Sequence, residues 1–376
     1  MSTESVELLM KVLAIRSVNG RDDEGAVAEF LADYMRRAGI DARTVRIDGT
    51  HANVTARIGD ITDGETVVWN GHLDTVPYGA ASEWRTDPAV PTVAGGRIYG
   101  RGASDMKSGL CAMVFALCEA VRLGRPFRHP VFFCGTCDEE KNGIGARALL
   151  KEEGMTGCGR ILIGEPTGLK AGTAQKGCLW LRLDISGKTS HGAYPGQGRS
   201  AVEFGLREAD EIRAFVSEHE HALLGRSTAI ITRIEGGVAP NMVPDRCMIR
   251  MDIRFTPDLD RTAILKKAEE AAAEAEAATN GDVRISLAAE NYRRAIETAP
   301  GDAFVTELET ALRAERIPFE TTGINFFTDA SILAENDPDT SVILFGPGEP
   351  FMAHKPNEYV EIEKYEKAIR VLGRMI

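Results

Sequence analysis

Short apolar runs alternate with segments of helical period along the first part of this chain, give way to another pattern in the middle, and return near the end. Val27, Phe30, Leu31, Tyr34 and Met35 keep helical spacing, and Gly39 stands where a C-cap glycine belongs. Thr66–Trp69 reads as a buried strand, Ser108–Leu123 as a helix, Val131–Phe133 as a strand, Ile144–Lys151 as a helix and Ile161–Ile163 as a strand. Such alternation requires helices covering a sheet, so the fold class expected is α/β with a mostly parallel sheet. The middle differs. Leu179–Ile185 alternates like a half-solvated strand, followed by a helix near Ser200–His219, strands at Thr228–Ile234 and Arg246–Phe255, and an Ala/Glu-rich helix at Ala263–Ala278. That order describes an inserted α+β domain. A helix at Phe304–Ala314, a strand at Ser341–Phe345 and a helix at Glu363–Ile376 resume the first pattern. The main domain is therefore expected to be discontinuous, 1–178 and 292–376, around an insert at 179–291.

The chain has 376 residues, long enough for two domains, and its 43% hydrophobic and 27% charged residues are those of a globular protein. Acids outnumber bases, 56 to 44, for a net charge of −12, which argues against nucleic acid or an anionic membrane as partner. No apolar run has the length of about 20 residues that a membrane span needs. The opening MSTESVELLMKVLAI lacks a basic start and a small-residue cleavage site, so a cytoplasmic location is expected. Seven scattered cysteines read as reduced thiols rather than a disulfide framework. Cys134-Gly-Thr-Cys137 has the form of a redox motif, but it ends a strand instead of opening a helix, so the structural reading is preferred.

Histidines and carboxylates gather at the ends of the strands. Asn70-Gly-His72-Leu-Asp74 places His72 and Asp74 on one face of an extended segment, where Asp74 can accept the spare ring N–H of a metal-bound His72. Gly100-Arg-Gly-Ala-Ser-Asp105-Met-Lys-Ser-Gly109 precedes a helix. It is either a phosphate cradle of backbone amides or a turn presenting the Asp105 carboxylate to a cation. Asp138-Glu139-Glu140 and Gly164-Glu165 end the next two strands, and Ala353-His354 follows the last. In open parallel sheets sites form outside the carboxyl ends of the strands. His72, Asp105, Glu140, Glu165 and His354 suit two divalent ions, each with one imidazole and one terminal carboxylate, with Asp105 bridging. Two dications against three carboxylates and a bridging hydroxide leave no net charge. Glu139 is then free to act as general base on that water.

The set Gly71-His72-Leu-Asp74-Thr-Val-Pro77, Gly100–Lys107, Asp138-Glu139-Glu140, Gly164-Glu165-Pro166 and His354-Lys-Pro-Asn-Glu358 resembles the di-zinc family of acetylornithine deacetylase, succinyl-diaminopimelate desuccinylase, aminoacylase and glutamate carboxypeptidase. The resemblance implies a di-metal catalytic domain plus a lid that makes a homodimer. It gives one zinc His72 and Glu165, the other Glu140 and His354, with Asp105 shared. It makes Glu139 the base and Asp74 the acid behind His72. His191, in Ser190-His191-Gly-Ala-Tyr-Pro195, matches a lid histidine that stabilises the oxyanion. Asn241 and Arg254 match lid residues that hold the substrate carboxylate, and Thr328-Asp329 a substrate-binding segment. Strict desuccinylases carry an arginine shortly after that segment, where Ser331 and Ile332 stand here, which argues against an N-succinyl substrate.

The expected activity is metal-dependent hydrolysis of a small N-acyl amino acid: a metal-bridging hydroxide attacks, and Glu139 takes the proton and returns it to the leaving amine. Zinc is the first choice of ion, and the same donors accept cobalt or manganese. The alternatives are a dipeptidase, aminopeptidase or carboxypeptidase of the same chemistry and, from another class, a catalytically silent metal-binding protein. Intact Glu139 argues against the last.

Overall fold

A computed structural model describes residues 3–59, 66–152, 155, 158–335, 337 and 339–376. Met1 and Ser2, the start of the stretch read for a leader, lie outside these. The chain divides into two compact units, Met1–Thr173 with Glu297–Thr322 and Thr328–Ile376, and Ala174–Ile296 with Gly323–Phe327.

The first unit is built on a mixed α/β sheet whose centre is parallel. Six of its strands run in the order Asp41–Arg46, Ala52–Ile58, Val131–Thr136, Val67–His72, Arg160–Ile163 and Ser341–Leu344. The last four pair in parallel, while the first two add antiparallel at one edge. The register His72↔Thr136 and Ile163↔Leu344 brings the carboxyl ends of these four strands to one side of the sheet. The helix Lys107–Arg122 is apolar nearly all round, and Leu110, Met113 and Leu117 join Trp69 and Phe133 in one core. A helix of that kind needs cover on every side. The helices Thr3–Ala14 and Ile362–Met375 supply it. Lys107, 1% exposed, donates Nζ–H to the Ile15 and Val12 carbonyls at 2.8 and 3.3 Å, satisfying acceptors left open by the end of the first helix.

The second unit is an antiparallel sheet in the order Thr228–Gly236, Arg246–Phe255, Gly177–Ser186 and Arg284–Arg293, with the helices Ala201–Ser217 and Arg261–Ala278 on one face. Leu181, Leu183, Ile212, Ile249, Met251, Ile253 and Ile264 form its core. Both helices are capped at their starts, Glu203 N–H donating to Ser200 Oγ and Ala263 N–H to Asp260 Oδ1. The expected limits at 179 and 291 fall inside its strands, and the unit runs instead from Ala174 to Ile296. On the C-terminal side the difference comes with the strand Arg284–Arg293, which the apolar pattern of the sequence does not mark. It lies at the edge of the sheet, and its sequence RISLAAENYR offers only small or half-buried apolar residues.

Candidate active site

Each parallel strand delivers a polar residue at its carboxyl end, as the sequence led one to expect. His72 ends its own strand. Glu139 and Glu140 follow Val131–Thr136, Glu165 follows Arg160–Ile163 after one glycine, and His354 lies beyond Ser341–Leu344. Asp105 comes from the turn before the Lys107–Arg122 helix. The Asp105 carboxylate lies between the two imidazoles, Oδ1 at 3.2 Å from His72 Nε2 and Oδ2 at 3.4 Å from His354 Nε2. Glu165 Oε1 is 3.9 Å from His72 Nε2, and Glu140 Oε2 is 3.0 Å from His354 Nε2. Two groups of one imidazole and one glutamate thus flank a shared aspartate.

The electrostatics of this cluster ask for a cation. Burial pushes the Glu139 and Glu165 carboxyls well above the usual range and raises Glu140 as well. Burial raises Asp105 too, but the His354 and His72 contacts outweigh it and hold the carboxyl low. Contacts to Asp105 and Glu140 push His354 up to about 10. Glu165 Oε2 is buried without a hydrogen-bond partner, although buried polar atoms almost always have one. An N/O donor set with an unsatisfied buried carboxylate oxygen fits divalent ions. His72, Asp105 and Glu140 have ligand atoms within 4.8 Å of one another.

Asp74 does more than stand behind His72. The near partner of His72 Nδ1 is the Asp74 backbone carbonyl at 3.0 Å, with the carboxylate at 3.6 Å. The carboxylate itself accepts from the Glu139 and Glu140 amides at 3.1 Å each and from Asn19 Nδ2 at 2.9 Å. It therefore fixes the backbone of Glu139 and of Glu140 at once.

The two readings of the Gly100–Gly109 turn are resolved by Glu358, a buried carboxylate to which sequence reasoning gave no role. Glu358 accepts from the amides of Gly102, Ser104 and Asp105 at 3.0, 2.8 and 2.9 Å and from Arg101 Nη1 at 2.8 Å. The turn does cradle an anion, but the anion is the protein's own glutamate. Its amides are not available for a nucleotide phosphate, and the turn holds Asp105 toward the imidazoles.

Asp329 approaches the site from behind. Thr136 Oγ accepts from Asn70 Nδ2 at 3.0 Å and donates to Asp329 Oδ2 at 2.6 Å. The Asp329 charge is among those that raise Glu139. Thr328 and Asp329 are 0% and 2% exposed. Cys134 and Cys137 are both buried, and burial pushes both thiols far up, which removes the thiolate that redox chemistry requires.

In the second unit, Gly192 N–H donates to the Asn241 carbonyl at 2.7 Å and His191 bridges to Met242, so the His191 and Asn241 loops are tied together. Arg254 gives Nε and Nη2 to Asp252 at 2.6 and 3.0 Å and lies over the Phe327 ring.

Residues 68–376 match the peptidase family M20/M25/M40. The chain belongs to that family. It is a hydrolytic enzyme, as the family's chemistry and its relatives indicate. It is 31% identical to a succinyl-diaminopimelate desuccinylase of Cereibacter sphaeroides, with 96% of each chain covered. Its fold matches that of an aminopeptidase from Bacillus cereus, at a TM-score of 0.79 and 20% identity over 99% of this chain and 97% of the other. It also matches a dinuclear metal-binding peptidase of family M20 from Bacillus subtilis, at a TM-score of 0.72 and 15% identity over 99% and 96%. Among the described residues, no helix is long and apolar enough to cross a membrane.

Proposed function

We propose that this enzyme hydrolyses the amide bond of a small N-acyl amino acid, with His72, Asp105 and Glu165 holding one divalent ion and Glu140, Asp105 and His354 a second. The observation that carries this is the Asp105 carboxylate, with one oxygen toward each imidazole–glutamate group. When bound by these residues, such ions, zinc first and cobalt or manganese after it, would supply polarisation of an acyl carbonyl and a more acidic water at neutral pH. Glu139, 6% exposed, takes the proton of the attacking water and delivers it to the departing amine. Asp74 keeps Glu139 on target through its amide. Asp329 acts on Glu139 through charge rather than on the substrate, which leaves Thr328 a supporting part as well. His191 donates to the developing oxyanion, while Asn241 and Arg254 take the substrate carboxylate, Arg254 through its guanidinium fork.

Ser331 and Ile332, 3% and 1% exposed, face the interior, and Ser331 Oγ donates to the Thr328 carbonyl at 2.8 Å. Neither of these two residues carries a charge for a distal acyl carboxylate, which supports a short neutral acyl group over succinyl. The desuccinylase relative keeps succinyl substrates in the assay. Peptidase action on dipeptides is the second reading, favoured by the fold shared with an aminopeptidase.

The second unit serves as a lid and dimer contact. Its edge strand Thr228–Gly236 pairs on one side only and leaves Ile230 and Ile234 57% and 45% exposed, the kind of edge that monomers avoid. All seven cysteines are buried and unpaired, which supports a cytoplasmic setting.

The test is amine release from N-acetyl and N-succinyl amino acids and dipeptides, after chelation and reloading with zinc or cobalt. Glu139→Gln is expected to lower turnover about 1,000-fold while both ions remain bound. Near-normal turnover in that variant, or no release from any substrate by the loaded enzyme, overturns the proposal.

A further inference from the structure

A short segment upstream of the family match, Ser17–Glu24, runs alongside the exit of the His72 strand. Val18 bridges to Thr75, the Asn19 amide donates to the Thr75 carbonyl at 2.9 Å, the Thr75 amide to the Ser17 carbonyl at 2.9 Å, and Ser17 Oγ to the Leu73 carbonyl at 2.7 Å. Two side chains from this segment reach the turn that carries Glu139 and Glu140. Asn19 Nδ2 lies 2.9 Å from Asp74 Oδ2 and 3.0 Å from Asp138 Oδ1, so a single amide group joins two carboxylates. Glu24, 0% exposed, accepts from the Asp138 amide at 2.8 Å.

Asp138 needs such a hold. Its φ is +59°, in the left-handed region that residues other than glycine enter uncommonly, aspartate more readily than most, so hydrogen bonds on either side help to keep it there. The next two amides, of Glu139 and Glu140, point to Asp74. Asp138 therefore turns the chain so that one residue after it becomes the base and the next an ion ligand.

We propose that Asn19 and Glu24 are positioning residues for hydrolysis: they clamp Asp138 in its left-handed turn and so aim Glu139 and Glu140. This rests on the roles given to those two glutamates above. Neither residue touches substrate or ion. Asn19 works because it donates to two acids at once, which an aspartate of the same shape cannot do. Glu24 works as an acceptor, and glutamine retains that acceptor. Burial and the Asp74 charge push the Glu24 carboxyl up to about 9, so glutamine also matches its neutral form.

The test compares the full-length enzyme with Glu24→Gln, Glu24→Met and Asn19→Asp. Glu24→Met and Asn19→Asp are expected to lower kcat about 10- to 100-fold with KM within about 2-fold, and Glu24→Gln to stay within about 3-fold of the parent. The visible absorption of the cobalt-loaded enzyme should change in the first two and not in the third. Amide exchange of the peptide spanning residues 136–142 should quicken at least about 10-fold in the same two variants, with or without ions. Parental kcat, cobalt absorption and amide exchange in Glu24→Met, whatever its melting temperature, overturn the clamp, as does a Glu24→Gln variant as impaired as Glu24→Met. A parent that binds no cobalt, in which amide exchange still separates the variants, sinks the metal-dependent reading and leaves the clamp standing.

Discussion

Substituting Gly109 by alanine strikes the site through the packing beneath it. Gly109 lies in the first turn of the Lys107–Arg122 helix, where that helix crosses the end of the Arg160–Ile163 strand. An added Cβ would lie 1.7 Å from the Gly164 carbonyl oxygen and 2.7 Å from its carbon. Atoms of this kind do not approach within 3.0 Å, so helix and strand must part by at least about 1.3 Å. There is little slack. The Met106 and Met113 methyls already come within 2.8 and 2.7 Å of where a Cβ on Gly164 would stand. The displaced carbonyl belongs to the residue before Glu165, so Glu165 moves with it. Overpacking of this sort costs about 1–3 kcal/mol, and a misplacement of about 1 Å at a reacting centre costs about 100-fold in rate. Gly109→Ala should therefore lower the melting temperature and cut kcat/KM about 100-fold, with weakened ion binding. Ser108→Ala is the matched control. The Ser108 hydroxyl is buried without a partner, so its removal should be near neutral. Unfolding curves, zinc stoichiometry and initial rates on both variants decide it. A Gly109→Ala enzyme with parental melting temperature and rate would refute the claim that this contact sets the position of Glu165.

The remaining predictions are briefer. Glu358→Gln sets an amide N–H₂ against the turn's own N–H groups. It should cost about 2–4 kcal/mol and weaken ion binding through Asp105; unchanged zinc affinity in chelator competition would contradict this. Glu208, buried between the second unit's two helices with Glu211, Glu274 and Lys267 near it, is pushed up to about 7, burial being the main cause. The folded state then holds a proton that the unfolded state gives up near pH 4.5, so stability falls as pH rises from there to about 7, by about 1–3 kcal/mol. Glu208→Gln should flatten that slope, and equal slopes in parent and variant would argue otherwise. Ile230→Lys with Ile234→Lys should turn a dimer into a monomer by light scattering; a parent already monomeric removes the edge-strand contact from consideration.

Much of the fold was legible because helical and strand periods are written in apolar residues. The helices at Gly25–Arg37, Lys107–Arg122 and Ile362–Met375 bury continuous stripes or whole surfaces, and each stripe is readable. Asp41–Arg46 was not, since it is an edge strand of alternating charge and small residues, and Arg284–Arg293 was missed for the same reason. Within the site, His72, Asp105, Glu140, Glu165 and His354 were readable as groups whose oxygen or nitrogen suits an ion, and Glu139 as the acid left over beside them. Glu358 and Glu24 escaped because their carboxylates accept from backbone amides, and Asn19 because it donates to two carboxylates from a distant segment. A carboxylate that accepts three amides carries no spacing rule, since its partners lie about 250 residues away in sequence.

That distinction explains how so many acids stay crowded at one sheet edge. Glu358 is neutralised by amides and Arg101, Asp74 by amides and Asn19, and neither calls for an ion. Glu140 and Asp105 have His354 and His72, whereas Glu165 keeps a buried oxygen with no donor at all. Of these five acids, Glu358 and Asp74 are already satisfied and hold the backbone, while Glu165 is left short in the place where a cation would relieve it. Removing ions should therefore loosen Glu165 more than the turn at Gly100–Asp105, because Glu358 also holds the turn. Amide exchange measured with and without chelator gives the comparison. Equal loss of protection at both places would mean that the ions, rather than Glu358, hold the Asp105 turn.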